Sequence, residues 1–503
     1  MISAYTGTQI REAELPFLAT GAGAVLMQRA AYGLANTVVR ELQSRRHRLS
    51  GASVTVLAGK GNNGGDGLFA AALLARRGMR TTAVLTAADA HPAALAAFEA
   101  AGGRTVHLTA MDVPAVAAAA AGTDVVIDAV LGTGAQGGLR GPAGALMEQL
   151  ARSRPGLVVA CDIPSGVDAD TGEAHAPVLA ADVTVSFGAA KAGLLADPGA
   201  DFAGAVRVIR IGIESALPEP AVRRLEPEDL SLLLPRPERR AHKYSRGVLG
   251  VVAGSQRYPG AAVLACRGAL AAGVGMVRYL GPPEVANIVR QACPEVVCSE
   301  DVADAHVQAW LLGPGLDEGA PEQLLRVREA AATGLPLVAD AGALPALDPG
   351  LAPHMVLTPH AGELAALLAR YGAGPGRSGV ADATLAAVRQ AATLTGATVL
   401  LKGATTLVAT PAGAVFSQAE ATPWMATAGS GDVLAGVLGS LLAQLSSDGE
   451  AFAAHGIVAS DRWAAIAAIA ASLHGRAGKA GSAGGPVTAS AIAQAVPEVM
   501  RAP

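Results

Sequence analysis

Two glycine-rich segments, each carrying one aspartate, are the parts of this sequence best suited to chemistry. They are Gly61-Asn62-Asn63-Gly64-Gly65-Asp66-Gly67 and Ala428-Gly429-Ser430-Gly431-Asp432. Each falls where a helix is expected to begin, and bare amides at a helix N-terminus attract anions such as phosphates. A carboxylate in the same loop repels a seated phosphate but is well placed to move a proton beside one. Two such segments point to two phosphate-rich active sites, and so to a fused pair of enzymes.

The elements that must position the first segment alternate between strand-like and helix-like runs. Strands are expected at 53–58, 81–86, 124–130, 157–161 and 182–187, with helical spacing over 68–77. That rhythm reads as a parallel sheet covered by helices, and such sheets bind ligands beyond the carboxyl ends of their strands. Asn63, Asp128, Asp162, Ser165 and Lys191 all fall at such ends. Singly, an Asn-Gly pair is an ordinary turn and an aspartate an ordinary helix cap. Their coincidence is what points to a site.

Gly59 to Gly64 also matches the dinucleotide fingerprint G-x-G-x-x-G, with Asp89 at about the usual spacing. Plain hydride transfer is disfavoured, because Asp66 would repel a pyrophosphate on the helix start. Asn63, Asp128 and the Ser165 hydroxyl instead form an oxygen cluster suited to a monovalent cation, whereas zinc prefers nitrogen and sulfur.

Residues 218–240 are rich in proline and charge, and alternation restarts beyond them. The expected division is 1–215 as one domain, 216–240 as a linker or lead-in, and 241–503 as a second domain. Strands are expected at 247–253, 309–312, 335–340, 355–357, 398–402 and 405–409, a helix at 432–445, and alanine-rich packing helices over 451–472. The second segment lacks the Lys-Ser/Thr of a P-loop. Its amides would instead form an anion hole with Asp432 facing a held hydroxyl, as in sugar kinases of the ribokinase type. His360, beside Glu363, is expected to cap a helix or to bind substrate, and Lys402 to meet nucleotide phosphate.

The bulk properties narrow the class. A chain of 503 residues with a net charge of -4 has room for two or three domains and no basic footprint for nucleic acid. Hydrophobic residues make up 51%, with alanine the most frequent of them, and the longest apolar runs are interrupted or short. The first 17 residues lack the apolar core of a signal peptide, and the four cysteines form no CxxC pair. A protein of the reducing cytoplasm, with no membrane partner, is the expectation.

Gly61 to Gly67, Asp128-Ala129-Val130-Leu131-Gly132-Thr133-Gly134 and Asp162-Ile163-Pro164-Ser165-Gly166-Val167-Asp168 together resemble the NAD(P)H-hydrate epimerase family over about residues 5–213. Those enzymes interconvert the epimers of nicotinamide cofactors hydrated at ring carbon 6. The resemblance implies a Rossmann-like three-layer α/β/α domain in which Asn62, Asn63, Gly64, Gly65, Asp66, Gly132, Thr133, Gly134, Ala135, Gln136, Gly137, Gly138 and Asp162 line the hydrate. It implies potassium at Asn63, Asp128 and Ser165, and makes Asp128, before Lys191, the candidate for moving protons.

Over about 225–502, five strings occur in order. They are Tyr258-Pro259-Gly260-Ala261-Ala262, Gly313-Pro314-Gly315, Thr358-Pro359-His360-Ala361-Gly362-Glu363, Leu401-Lys402-Gly403-Ala404, and Met425 through Asp432. They resemble the ADP- or ATP-dependent NAD(P)H-hydrate dehydratases, a ribokinase-like α/β/α fold. The resemblance implies nucleotide contacts at Lys402, Gly403, Ala404, Thr405, Thr406, Gly429, Ser430 and Gly431. Hydrate contacts are implied at Ala262, Gly315, His360 and Asp432, with Asp432 as the catalytic base. ADP is the expected phosphate donor, with magnesium accompanying it and AMP and phosphate as products, and a homo-oligomer is expected. The rival expectation is a small-molecule kinase behind a non-catalytic binding domain.

Overall fold

The computed structural model describes residues 1–135, 137–317 and 319–502. It separates into two compact units, Ser3–Val222 and a second made of Met1–Ile2 with the residues from Arg223 onward.

The Ser3–Val222 unit is built on a parallel sheet in the order Arg104–His107, Arg80–Leu85, Ser53–Ala58, Val125–Ala129, Val158–Cys161, Val183–Phe187, Ala205–Ile209. Its central strands are buried on both faces, as near-continuous runs of valine, isoleucine, leucine and alanine require. Apolar cores lie on either face, one around Leu34, Leu68 and Ile127 and one around Leu57, Leu146 and Leu150. The chain first builds outward from Ser53–Ala58 and then crosses to its other side at Val125–Ala129. The carboxyl ends of these two strands therefore form a topological switch point, the usual place for a ligand crevice. Arg104–His107 and Ala205–Ile209 were not among the strands expected from the sequence. Both are edge strands, half-exposed, without the apolar run by which the others are recognised.

The first glycine segment is not a loop. Helix Asn62–Arg76 begins inside it, six residues before the expected start. Glycine costs a helix interior roughly 0.5–1 kcal/mol relative to alanine, but close packing demands it here. A β-carbon on Gly64 would lie 2.0 Å from the Gly59 carbonyl oxygen, and one on Gly67 would lie 2.5 Å from the Ala129 side chain. The glycines let the first helical turns press against the strand ends.

The second unit has a sheet in the order Val297–Cys298, Met276–Leu280, Val248–Val252, Ala309–Leu312, Leu337–Ala339, Met355–Leu357, Thr398–Leu401, Thr406–Ala409, Val415–Gln418. It is parallel up to Thr398–Leu401, continues through an antiparallel meander, and takes up Arg223 in parallel beside Phe416 of its last strand. It too reverses direction, between Val248–Val252 and Ala309–Leu312. Segment 216–240 holds the strand Val222–Arg224 and the helix Pro227–Leu233, whose Leu230 and Leu233 enter the core. Helix Ser430–Leu445 crosses Pro259–Ala271 at backbone distance, since a β-carbon on Gly436 would sit 2.1 Å from the Ala265 carbonyl oxygen. Helix Arg462–Ser482 packs mainly through alanines, with Ala464, Ala465, Ala467, Ala468 and Ala470 fully buried. Among the described residues, no helix is long and apolar enough to cross a membrane.

Candidate active sites

A pocket of about 680 Å³ opens at the switch point of the Ser3–Val222 unit. Asn62, Asn63, Asp66, Gly132, Thr133, Gly134, Ala135, Asp162 and Lys191 line it, so the structure gathers most of the residues singled out by sequence. Gly64 and Gly65 are instead buried in the helix that forms one wall. Gly138 packs against the His175 carbonyl, and Gly137 lies beside the 163–168 turn. Gln136 lies outside the described residues.

Asp128 has a different place from that of a pocket acid. Its carboxylate is fully buried, and it accepts from the Ser165 hydroxyl at 2.6 Å, the Ser165 amide at 2.8 Å and the Val130 amide at 3.3 Å. The Leu131 amide donates to the Ser165 hydroxyl at 2.8 Å, and the Asn63 side-chain amide donates to the Leu131 carbonyl at 3.0 Å. Burial pushes Asp128 above the ordinary carboxylate range, and the Ser165 hydrogen bonds only partly oppose that. No cationic side chain among the described residues pairs with it. Asn63 on the pocket wall, with Ser165 and Asp128 buried behind it, thus forms one hydrogen-bonded knot in which the carboxylate lies beneath the pocket rather than on its surface.

Asp162 and Lys191 come together on the wall. Asp162 has a left-handed backbone, φ 68°, which turns the chain out of the Val158–Cys161 strand. Its carboxylate accepts from the Phe187 amide at 3.0 Å and from the Lys191 ammonium. Lys191, 1% exposed, also donates to the Phe187 carbonyl at 2.9 Å and the Ser186 hydroxyl at 3.1 Å. Glu14, from helix Gly7–Ala19, reaches the same pocket and was not anticipated, because nothing in its local spacing marks it.

In the second unit the loops after the strands are stitched together. The Gly254 amide donates to the Pro314 carbonyl at 2.7 Å. A β-carbon on Gly315, φ 65°, would lie 2.6 Å from the Ala261 side chain, so only glycine brings that turn onto the start of helix Pro259–Ala271. Ala262 is fully buried beneath this junction. His360 caps helix Ala361–Arg370: its Nδ1 accepts from the Gly362 and Glu363 amides at 3.0 and 3.1 Å, while Nε2 lies 3.7 Å from the Glu363 carboxylate on a side chain that is largely exposed.

Lys402 ends the Thr398–Leu401 strand and donates to Asp340 at 2.7 Å, with Glu363 3.8 Å away. Thr358 donates to the same Asp340 oxygen at 2.8 Å. Burial would lower Lys402, yet Asp340 and Glu363 beside it leave it raised and firmly cationic. Gly403, Ala404 and Thr405 form the turn of the meander that follows, and Thr406 opens its next strand.

The second glycine segment faces this lysine. Gly429, φ 87°, is the N-cap of helix Ser430–Leu445, and a β-carbon on Gly431 would lie 3.6 Å from the Lys402 ammonium. Asp432 sits in the first helical turn. Burial, then the charge of Asp340, raises it to about 6, with Lys402 opposing. Ser430 meets the buried His474 ring at 3.2 Å, and burial drives that imidazole down to about 4, keeping it neutral. Asp340 and His474 were not singled out from sequence, and Thr358 entered only as the first residue of its motif, with no role assigned. Chemically, the cluster offers a helix N-terminus, one fixed cation and one carboxylate whose proton affinity lies close to neutrality.

Two family models match the chain. Residues 23–193 match that described as YjeF-related protein N-terminus, and residues 249–495 that described as NAD(P)H-hydrate dehydratase. A bifunctional NAD(P)H-hydrate repair enzyme from Mycobacterium tuberculosis is 43% identical over 89% of this chain and 91% of its own length. The protein of that name from Mycobacterium leprae is 42% identical over 87% and 89%. That from Moorella thermoacetica is 33% identical over 84% of each. Among solved structures, an ADP/ATP-dependent NAD(P)H-hydrate dehydratase from Bacillus subtilis covers 55% of this chain and 96% of its own, with 22% identity and a TM-score of 0.46.

Proposed function

The chain belongs to the bifunctional NAD(P)H-hydrate repair enzymes, and from that premise we propose how its two units divide the work. The Ser3–Val222 unit equilibrates the (R) and (S) hydrates, and the unit from Arg223 onward dehydrates the (S) form at the expense of a nucleotide. One stereospecific dehydratase alone would strand the other epimer. The match of residues 249–495 to a dehydratase model sets the small-molecule kinase reading aside.

In the first unit, Asn62, Asn63, Asp66 and the 132–138 loop receive the hydrate, with Asp162 and Lys191 on the wall. Potassium is the cation that the knot below would take. A buried carboxylate paired with no cationic side chain among the described residues, close to the Ser165 hydroxyl, the Leu131 carbonyl and the Asn63 side-chain amide, is a donor set suited to a monovalent ion. Held there by Asn63, Asp128 and Ser165, it would neutralise Asp128 and fix the 130–135 loop.

In the second unit, Asp432 takes the proton from the C6 hydroxyl, whose oxygen attacks the terminal phosphorus of ADP. Lys402 and the amides of Gly429, Ser430 and Gly431 bind the phosphoryl oxygens as charge builds on them. Phosphate then leaves C6, a proton leaves the adjacent ring carbon, and NAD(P)H and AMP result. Magnesium travels with phosphates and needs few protein oxygens; the carboxylates of Asp340 and Glu363, beside Lys402, suit it. The carrying observation is the meeting of Asp432, Lys402 and Asp340 from three distant stretches of chain.

Absorbance near 340 nm tests the reading. A mixed-epimer NADH hydrate is supplied with ADP or ATP, in potassium or sodium buffer. Complete recovery of NADH with ADP, slower beyond the (S) fraction in sodium, is expected. Recovery that stops at the (S) fraction removes the epimerase; recovery with ATP alone corrects the phosphate donor.

A further inference from the structure

We propose that Asp66 and Glu14 are the acid–base pair that moves the proton at ring carbon 6 during epimerisation, an assignment that rests on the first-unit pocket being the hydrate site. Inverting that carbon requires the hydroxyl to leave as water and a water to return on the opposite face. The first event needs a proton donor and the second a proton acceptor.

The pocket-lining carboxyls are Glu14, Asp66 and Asp162. Asp162 is committed to the Lys191 ammonium and the Phe187 amide, and Asp128 is sealed beneath Ser165. That leaves Asp66 and Glu14. Asp66 is 8% exposed, and its Oδ1 is buried with no hydrogen-bond partner. A buried polar atom left unpaired costs about 1–3 kcal/mol, and function is a common reason for retaining one. Glu14 is half-buried and forms no hydrogen bond or ion pair with a described residue.

Burial, then the charges of Asp162 and Glu14, pushes Asp66 well above the carboxylate range against Lys191, which favours its protonated, proton-donating form. Burial raises Glu14 too, with Lys191 and Arg11 opposing and Asp162 adding to the shift. Cys161 is the other titratable neighbour, with Lys60 on the pocket rim and His91 packed against Gly65.

Protonated Asp66 gives its proton to the C6 hydroxyl. The C–O bond breaks with its electron pair going to oxygen, and water departs. The ring nitrogen's lone pair delocalises the positive charge left on C6, and the carboxylates around it stabilise that cation. A water then adds to the opposite face and yields its proton to the Glu14 carboxylate. Proton exchange between the two groups restores Asp66. No net proton, electron or co-reactant is consumed.

The experiment uses the full chain, following (R) and (S) NADH hydrate by chromatography without nucleotide, and dehydration of the pure (S) form with ADP. Asp66→Asn is expected to slow epimerisation by roughly 10²–10⁴-fold, with the KM for hydrate nearly unchanged and dehydration retained. Glu14→Gln, at a half-exposed position that tolerates the change, is expected to lose the acidic limb of the epimerisation pH profile while Asp66→Asn loses the alkaline limb. Epimerisation within threefold of the unaltered chain in either variant, or unshifted pH limbs, overturns the pair. Absence of epimerisation in the unaltered chain overturns the underlying reading instead.

Discussion

Replacing Asp432 by asparagine should abolish dehydration and at the same time make the second unit more stable. Burial, with Asp340 close by, raises Asp432 from 3.8 to about 6, so the folded protein holds this proton more tightly than the unfolded chain does. From about pH 4 to about pH 6 the unfolded chain has released the proton and the folded one has not. Stability is therefore lost as pH climbs through that window and the penalty is constant above it. A shift of roughly two units at ~1.4 kcal/mol each gives about 3 kcal/mol. Partial exposure of the carboxylate reduces this to about 1–2 kcal/mol. Urea unfolding of the second unit, without nucleotide, at pH 4.5 and 7.5 would show the difference. Asp432→Asn should exceed the unaltered chain only slightly at the lower pH and by most of that amount at the higher, while turnover falls roughly 10²–10⁴-fold. A variant less stable at pH 7.5, or an advantage equal at both values, would refute the electrostatic argument.

Other expectations can be checked in the same preparations. In the unaltered chain the dehydration rate should fall about tenfold from pH 7 to pH 5, because a base near pH 6 is then mostly protonated. Lys402→Met removes the cation that opposes this protonation. Its acidic limb should move to higher pH, and its KM for ADP should rise roughly tenfold or more. Gly64→Ala forces a β-carbon to 2.0 Å from the Gly59 carbonyl. It should destabilise the first unit by about 1–3 kcal/mol and remove epimerisation, while leaving dehydration of the (S) hydrate intact.

Much of the architecture was legible because parallel strands buried on both faces write themselves as apolar runs, as in Ser53–Ala58 and Val125–Ala129. The motifs that lie along one stretch of chain were legible too. The edge strands were not, since Arg104–His107 carries little apolar signal. The helical state of Asn62 to Gly67 ran against propensity, because the reason for those glycines is the strand end they touch, not their own sequence. The partners of site residues were harder still. Asp340 is 62 residues from Lys402 and His474 is 44 from Ser430. No local pattern marks such residues until the sheet and helices bring them together. Asp128 shows the converse: its motif was plain, but its depth below the pocket depends on Ser165 folding back over it.

The alanine-lined helix Arg462–Ser482 has a consequence for how this core tolerates change. A buried alanine surrenders no rotamer freedom on folding, so the methyl-rich interior is inexpensive to order. It also offers little to remove, since trimming alanine to glycine leaves a void smaller than any leucine would. Its vulnerability lies in the other direction. At Ala465 or Ala468 a single added branch has nowhere to go, because the side chains here are fully buried and crowding of close-packed helices costs typically 1–3 kcal/mol. Sequence drift in this helix should therefore be bounded by volume gained rather than by volume lost.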